Sequence, residues 1–141
     1  MGTYIETHRT VVYPWHCDHQ GHMTTMHYVG MFDAAFWHLL SACGFTRDYL
    51  ESHHAGFVDV RDTIEYQAEQ AVGSLLMIES GMTKVGNTSV TGFHRMRNVE
   101  TGDIAATSEK ITVYFDLKAR HKIPLPDELR QAMTDNLVER D

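Results

Sequence analysis

Hydrophobic and polar positions along the chain predict one buried helix and a series of strands. Between Tyr28 and Cys43 the apolar residues recur at spacings of three and four, which is the period of an α-helix. Further apolar residues lie between them, so we expect this helix to be buried on most of its sides. Thr24 or Thr25 can cap its start, and Gly44 can end it in the left-handed conformation. The apolar positions on the main face are Tyr28, Phe32, Ala35, Phe36, Leu39, Leu40 and Cys43.

Most of the remaining chain shows the two-residue alternation that is typical of β-strands. Val58, Val60 and Tyr66 belong to one alternating segment, and the Gly86-Asn87 pair marks a hairpin turn. A helix that is apolar on most faces needs a sheet that curves around it. We therefore predict an α+β fold with one curved antiparallel sheet wrapped around one long helix. The predicted strands cover residues 7–12, 58–66, 74–83, 89–99 and 104–116, and two further helices cover residues 46–52 and 127–138, the second capped by Asp127.

Length and composition limit the possible classes of protein. A chain of 141 residues with 43% hydrophobic residues and a mean hydropathy of −0.32 predicts a single globular domain over residues 1–141. The net charge of −7 argues against a nucleic-acid partner, and no apolar run is long enough to predict a membrane span. The first residues lack the basic and then apolar pattern of a signal peptide. We therefore expect a cytoplasmic protein with Cys17 and Cys43 reduced.

The loop ahead of the long helix carries the candidate chemistry, and its residues allow three kinds of site. His16, His19 and His22 are spaced by three residues and could bind a metal, although zinc ligands more often come in pairs on regular structure. Cys17 could be a nucleophile if a neighbouring histidine acted as its base. Asp18 could attack a substrate or activate water beside a helix start whose free N–H groups bind an oxyanion. These alternatives stay open, together with a purely structural role for Asp18 in the turn.

The segment from Cys17 to Met23 has the sequence Cys-Asp-His-Gln-Gly-His-Met and is followed by Tyr28. It resembles the D-x-D-x-x-G-H/V signature of hotdog-fold acyl-CoA thioesterases, and most of all the 4-hydroxybenzoyl-CoA thioesterase family. The resemblance extends over nearly the whole chain. It implies a hotdog fold, in which the curved sheet wraps the helix. It also implies homodimers or homotetramers with the active sites at the subunit interface.

The resemblance implies roles for individual residues of the loop and the helix start. Asp18 lies at the position of the family's catalytic aspartate, which acts as nucleophile or general base on the thioester. Thr25 lies where the family uses a backbone N–H to polarise the thioester carbonyl, and Gly21 lies at the turn glycine. His22 and Tyr28 are expected to shape the part of the site that holds the acyl group or the pantetheine arm.

The phosphates of CoA require cations. Arg120 and Lys122 in the basic tail of the chain are the first candidates for this role, and Arg95 and Arg97 are the second. An ordinary solvated base is the alternative for each of the four.

Several positions depart from the family pattern. His16 stands where many members have the first aspartate of the motif, and Thr24 and Thr25 stand where members with a G-H-V-N-N sequence have asparagines. Asp33 on the helix is either a second acid near the predicted pocket or a solvated or salt-bridged residue. The string Cys-Asp-x-x-Gly-His-Met is also similar to thioesterases of carnitine breakdown, which act on a betainyl-CoA.

The sequence thus predicts an acyl-CoA thioesterase that hydrolyses a small or medium acyl-CoA and needs no metal or other cofactor. One alternative is a non-catalytic acyl-CoA-binding module, which keeps the fold and the pocket but has no need of the Asp18 carboxylate. A further alternative is a metal-dependent hydrolase that uses His16, His19 and His22.

Overall fold

A long helix lies against an antiparallel sheet that curls around it, in a computed structural model that describes residues 2–140. The helices are α1 (Thr25–Ala42), α2 (Arg47–His53) and α3 (Asp127–Asp135). The strands are β1 (Ile5–Val11), β2 (Ala55–Tyr66), β3 (Leu75–Val85), β4 (Ser89–Asn98), β5 (Ile104–Asp116) and β6 (His121–Lys122). They form one six-stranded sheet in the order β1-β3-β4-β5-β2, with β6 paired to β5.

This architecture confirms the predicted α+β fold with a curved sheet around one helix. β5 has the predicted bounds, and Gly86-Asn87 lies in the hairpin between β3 and β4. Gly44 follows α1 with a φ of +107°, the left-handed conformation expected at the end of a helix. Asp127 is the first residue of α3 rather than its cap, because Pro126 occupies the N-cap position.

One side of α1 forms the centre of the hydrophobic core. Phe32 and Ala35 are fully buried between the helix and the sheet. The expectation that α1 is buried on most sides is wrong for the isolated chain, since Met26 is 66% exposed and Val29 and Trp37 are each 44% exposed. The sheet covers one side of the helix and leaves these apolar side chains uncovered. Among the described residues, no helix is long and apolar enough to cross a membrane.

Among residues 2–140, β2 pairs with β5 alone and is therefore an open edge of the sheet. A register shift between Asp59 and Arg61 interrupts the predicted alternation along this strand. Val60 lies at this irregularity and is 61% exposed, and Val58 is 40% exposed. A bulge of this kind changes which side chains face the core. The alternation in the sequence therefore assigns Val58 and Val60 to the wrong face of the sheet.

A row of polar side chains crosses the sheet beneath α1. The hydroxyl oxygens of Thr7 and Ser80 are 2.7 Å apart, and Ser80 Oγ lies 2.6 Å from Nδ1 of His94. His94 is fully buried, packs against the ring of Phe36, and has no hydrogen-bond partner for its Nε2 among residues 2–140. Burial, and to a smaller extent the charge of Lys110, lowers the pKa of His94 from 6.5 to about 3.

Lys110 is a buried cation that three carboxylates surround. Its Nζ lies 3.6 Å from Asp33 of α1, and 3.5 Å and 3.9 Å from Asp59 and Asp62 of β2. A buried ammonium group needs such partners, because its transfer out of water is costly. Asp33 therefore pairs with a lysine of the sheet and does not line the cavity described below.

The buried imidazole of His94 makes the stability of the fold depend on pH. The unfolded chain protonates this residue near its ordinary pKa of 6.5, whereas the folded chain protonates it only near pH 3. Between these values the unfolded state binds more protons, so each unit of acidification costs about 1.4 kcal/mol of unfolding free energy. We expect the free energy of unfolding, measured by denaturant titration, to fall less steeply from about pH 6 to pH 4 in His94→Gln than in the wild type. Equal slopes for the two proteins would contradict this assignment.

Candidate active site

The loop between β1 and α1 forms a tight turn around Asp18. The N–H of Asp18 donates to the carbonyl of His22, and the N–H of Gly21 donates to the carbonyl of Asp18, both at 3.0 Å. Gly21 has a φ of +84°, which residues with a side chain rarely adopt, so the turn requires glycine at this position. Oδ1 of Asp18 accepts a hydrogen bond from the N–H of Gln20 at 2.8 Å. The carboxylate is thus held by one oxygen, and Oδ2 has no hydrogen bond among the described residues.

The start of α1 lies beside this turn and has no side-chain cap. Thr24 occupies the N-cap position with φ −69° and ψ 144°, but its hydroxyl makes no capping hydrogen bond. Thr24 therefore occupies the predicted N-cap position but does not make the predicted hydrogen bond to the helix. Thr25 opens the helix, and N–H groups of a first turn have no acceptor within the helix itself. An uncapped first turn favours a negatively charged atom in front of it.

A cavity of about 360 Å³ joins the turn to the helix start. Asp18 and Thr25, the two predicted catalytic residues, both line it, and so do His22 and Tyr28. Gly21 contributes the shape of the turn rather than a side chain. The remaining lining residues are Gln20, Met23, Tyr66, Gln67, Ala68 and Glu69.

Two tyrosines meet in this cavity. The rings of Tyr28 and Tyr66 pack edge to face, with centroids 5.1 Å apart and 89° between their planes. Tyr28 is buried, and burial raises the pKa of its hydroxyl above the ordinary value of 10.0, so the group stays neutral. Tyr66, at the end of β2, is half exposed. The face of a neutral aromatic ring attracts cations.

Glu69 is a residue of this cavity that the sequence reasoning missed. Its carboxylate lies 3.3 Å from Nε2 of His22, and its side chain is 75% exposed. Backbone contacts join the two loops, because His22 forms a β-bridge with Ala71 and the N–H of Met23 donates to the carbonyl of Gln70 at 2.8 Å. The hydrophobic pattern of the sequence does not predict this contact, because it depends on how the segment after β2 packs against the loop that contains His22.

The histidines of the loop take part in different contacts. Nδ1 of His16 accepts a hydrogen bond from the N–H of Tyr13 at 3.0 Å, and the ring centroid of His16 lies 4.8 Å from that of His27. His22 instead faces Glu69. Within residues 2–140, no group of three or more His, Cys, Asp or Glu side chains is arranged to hold a metal ion.

Cys17 is a half-buried free thiol outside the lining of the cavity. Its Sγ lies 3.8 Å from the carbonyl oxygen of Tyr13, to which it donates. A nucleophilic thiol needs a base within hydrogen-bond reach, and no imidazole hydrogen-bonds this sulfur in the described part of the chain.

Arg120 and Lys122 lie far from the cavity within one chain. β6 pairs Lys122 with Phe115 at the C-terminal end of β5, and Arg120 lies just before it. The cavity meets β5 near its opposite end, where Tyr66 pairs with Ala106. The intervening length of strand corresponds to about 30 Å at the usual rise per residue.

Arg95 and Arg97 lie nearer to the cavity. Both Nε atoms approach Oε1 of Glu79, at 3.0 Å and 2.8 Å respectively. The two arginines line a groove of about 310 Å³ together with Gln67, and Gln67 also lines the cavity of Asp18. The groove and the cavity are therefore neighbours.

The sequence profile of the thioesterase-like superfamily matches residues 12–133 of this chain. A curated relative, an L-carnitine dehydrogenase/betainyl-CoA thioesterase of Rhizobium meliloti, is 28% identical over 112 residues, which are 79% of this chain and 22% of that protein. This chain spans about a quarter or less of the length of the curated relatives it matches.

Solved structures share the fold over almost the full chain. A Staphylococcus aureus protein in complex with CoA superposes with a TM-score of 0.90 and 14% identity, over 100% of this chain and 90% of that one. A 1,4-dihydroxy-2-naphthoyl-CoA thioesterase from Synechocystis superposes with a TM-score of 0.78 and 20% identity, over 91% of this chain and 94% of that one. At these identities the likeness shows a common fold.

Proposed function

Because this chain belongs to the thioesterase-like superfamily, we propose that it is an acyl-CoA thioesterase whose reacting group is Asp18. The observation that carries the proposal is the single cavity that Asp18 shares with the uncapped start of α1. The predicted family is confirmed by the match over residues 12–133.

Thioester hydrolysis requires an attack on the carbonyl carbon and stabilisation of the oxyanion that forms. The Asp18 carboxylate attacks this carbon itself or takes a proton from the water that attacks it. The N–H of Thr25, at the positive end of a helix of 18 residues, donates to the oxyanion. If Asp18 attacks, the C–S bond breaks to leave an Asp18–acyl anhydride, water hydrolyses this anhydride to the free acid, and the CoA thiolate takes up the proton that the water releases. If Asp18 activates water, the C–S bond breaks to give the free acid directly, and the proton held by Asp18 passes to the CoA thiolate.

The cavity favours a small acyl group that carries a positive charge. It contains the ring pair of Tyr28 and Tyr66 and the carboxylates of Asp18 and Glu69. Aromatic rings bind quaternary ammonium groups through cation–π attraction of about 0.5–2 kcal/mol. The name of the Rhizobium meliloti relative includes betainyl-CoA thioesterase, which supports the same class of substrate. We therefore assign a short acyl-CoA with a trimethylammonium group, such as betainyl-CoA, as the preferred substrate.

The active unit in this proposal is a homodimer or homotetramer. β2 is an open strand edge, and Val60 on it is exposed. Met26 and Trp37 on α1 are also exposed, although both are apolar. A second chain that pairs along this edge would protect the free backbone groups and cover apolar surface. The proposed location is the cytoplasm.

The phosphates of CoA have two possible sets of ligands in this proposal. Arg95 and Arg97 lie beside the cavity of the same chain, in the groove that shares Gln67. Arg120 and Lys122 lie too far away within one chain, so they can act only if a second chain brings them to the site.

A thiol-release assay with short, long, aromatic and cationic acyl-CoAs tests the proposal. We expect turnover of acyl-CoA esters, fastest for the cationic ester, with the same rates before and after treatment with EDTA. Calorimetry with CoA, run in parallel, measures binding without chemistry. CoA binding without thiol release from any ester would support the non-catalytic binding module instead. Activity that EDTA abolishes would support the metal-dependent hydrolase.

A further inference from the structure

The contact between His22 and Glu69 has no part in the hydrolytic step described above. Both side chains line the cavity of Asp18, and Nε2 of His22 lies 3.3 Å from the Glu69 carboxylate. Nδ1 of His22 is buried and has no hydrogen-bond partner among residues 2–140. Of the two imidazole nitrogens, Nε2 is therefore the one that faces the carboxylate.

We propose that Glu69 is the specificity-determining residue for cationic acyl groups. The inference rests on the proposed thioesterase function. Glu69 lies in the same cavity as the edge-to-face pair of Tyr28 and Tyr66, so one ammonium group can contact the rings and the carboxylate together. A neutral acyl group of the same shape gains only the contact with the rings.

The carboxylate of Glu69 is open to an incoming ammonium group. Its side chain is 75% exposed, and Nε2 of His22 is its neighbour at 3.3 Å. Asp18 also lines the cavity and attracts an ammonium group, but Glu69→Gln leaves the Asp18 carboxylate in place. The effect of that substitution therefore reports on Glu69.

The experiment compares kcat/KM for betainyl-CoA with kcat/KM for its neutral isostere, tert-butylacetyl-CoA. We expect Glu69→Gln to lower the value for betainyl-CoA about tenfold and to leave the value for the isostere within about twofold. Glu69→Asp keeps the charge and should keep most of the preference. Glu65→Gln is the matched control, since Glu65 faces Arg140 at 3.8 Å and does not line the cavity.

The two esters together separate this inference from the proposed function. If the wild type hydrolyses both esters and Glu69→Gln shows the wild-type ratio, this inference is wrong and the proposed function stands. If the wild type hydrolyses neither ester, the proposed function fails and the inference fails with it.

Discussion

Asp18→Asn should lower kcat for every acyl-CoA ester by about 100- to 10,000-fold, which is the usual contribution of a positioned general base. The amide oxygen can still accept the hydrogen bond that Oδ1 of Asp18 accepts from Gln20, so the turn should keep its shape. An amide neither attacks a thioester nor removes a proton from water at neutral pH. Stopped-flow thiol release with each ester measures the loss.

Two controls show whether the loss reflects chemistry or folding. The affinity of Asp18→Asn for CoA, measured by calorimetry, should equal that of the wild type, because the proposed phosphate ligands lie outside the turn. Asp48→Asn changes an acid in the first turn of α2, which is not part of the cavity, and it should hydrolyse esters at the wild-type rate. Wild-type turnover by Asp18→Asn would show that another group carries out the reaction.

Phe32→Ala should lower the free energy of unfolding by about 3–5 kcal/mol. The ring of Phe32 is fully buried between α1 and the sheet, and its removal leaves a cavity that rigid neighbours cannot fill. Urea titration monitored by circular dichroism at one fixed protein concentration measures the change. The same variant tests whether the core holds the start of α1 in place, since a loosened helix would also lower turnover.

His38→Ala is the matched control for this prediction. His38 lies on the same helix but is exposed and is not one of the apolar residues of the proposed interface, and surface substitutions usually change stability by no more than about 0.5 kcal/mol. Similar losses for the two variants would mean that the core does not centre on Phe32.

The sequence was most informative where local chemistry and periodicity agree. The helical spacing from Tyr28 to Cys43 predicted α1, and the motif around Asp18 and Gly21 predicted a tight turn ahead of it. Both features depend on residues that are close in sequence, so a single sequence contains the necessary information. The common cavity of Asp18 and Thr25 follows from the same short segment.

Features that depend on distant parts of the chain were missed or misplaced. Glu69 joins the site only because the segment after β2 forms a bridge with His22. Val58 and Val60 follow the expected alternation in sequence, but the register shift beside them leaves both exposed. The hydrophobic pattern predicts neither the packing of the segment after β2 nor the position of a bulge.

We propose that the cavity of Asp18 hydrolyses acyl-CoA esters with a cationic acyl group. This proposal combines the family match with the ring pair of Tyr28 and Tyr66 and the carboxylate of Glu69. The curated relatives match over about a quarter or less of their own length, so the activity in their names must be tested directly on this chain.

The most direct test is thiol release by the wild-type protein, measured with betainyl-CoA and with tert-butylacetyl-CoA in the same buffer. We expect hydrolysis of both esters, with a higher kcat/KM for betainyl-CoA. No release of thiol from either ester, or a higher kcat/KM for the neutral one, would contradict it.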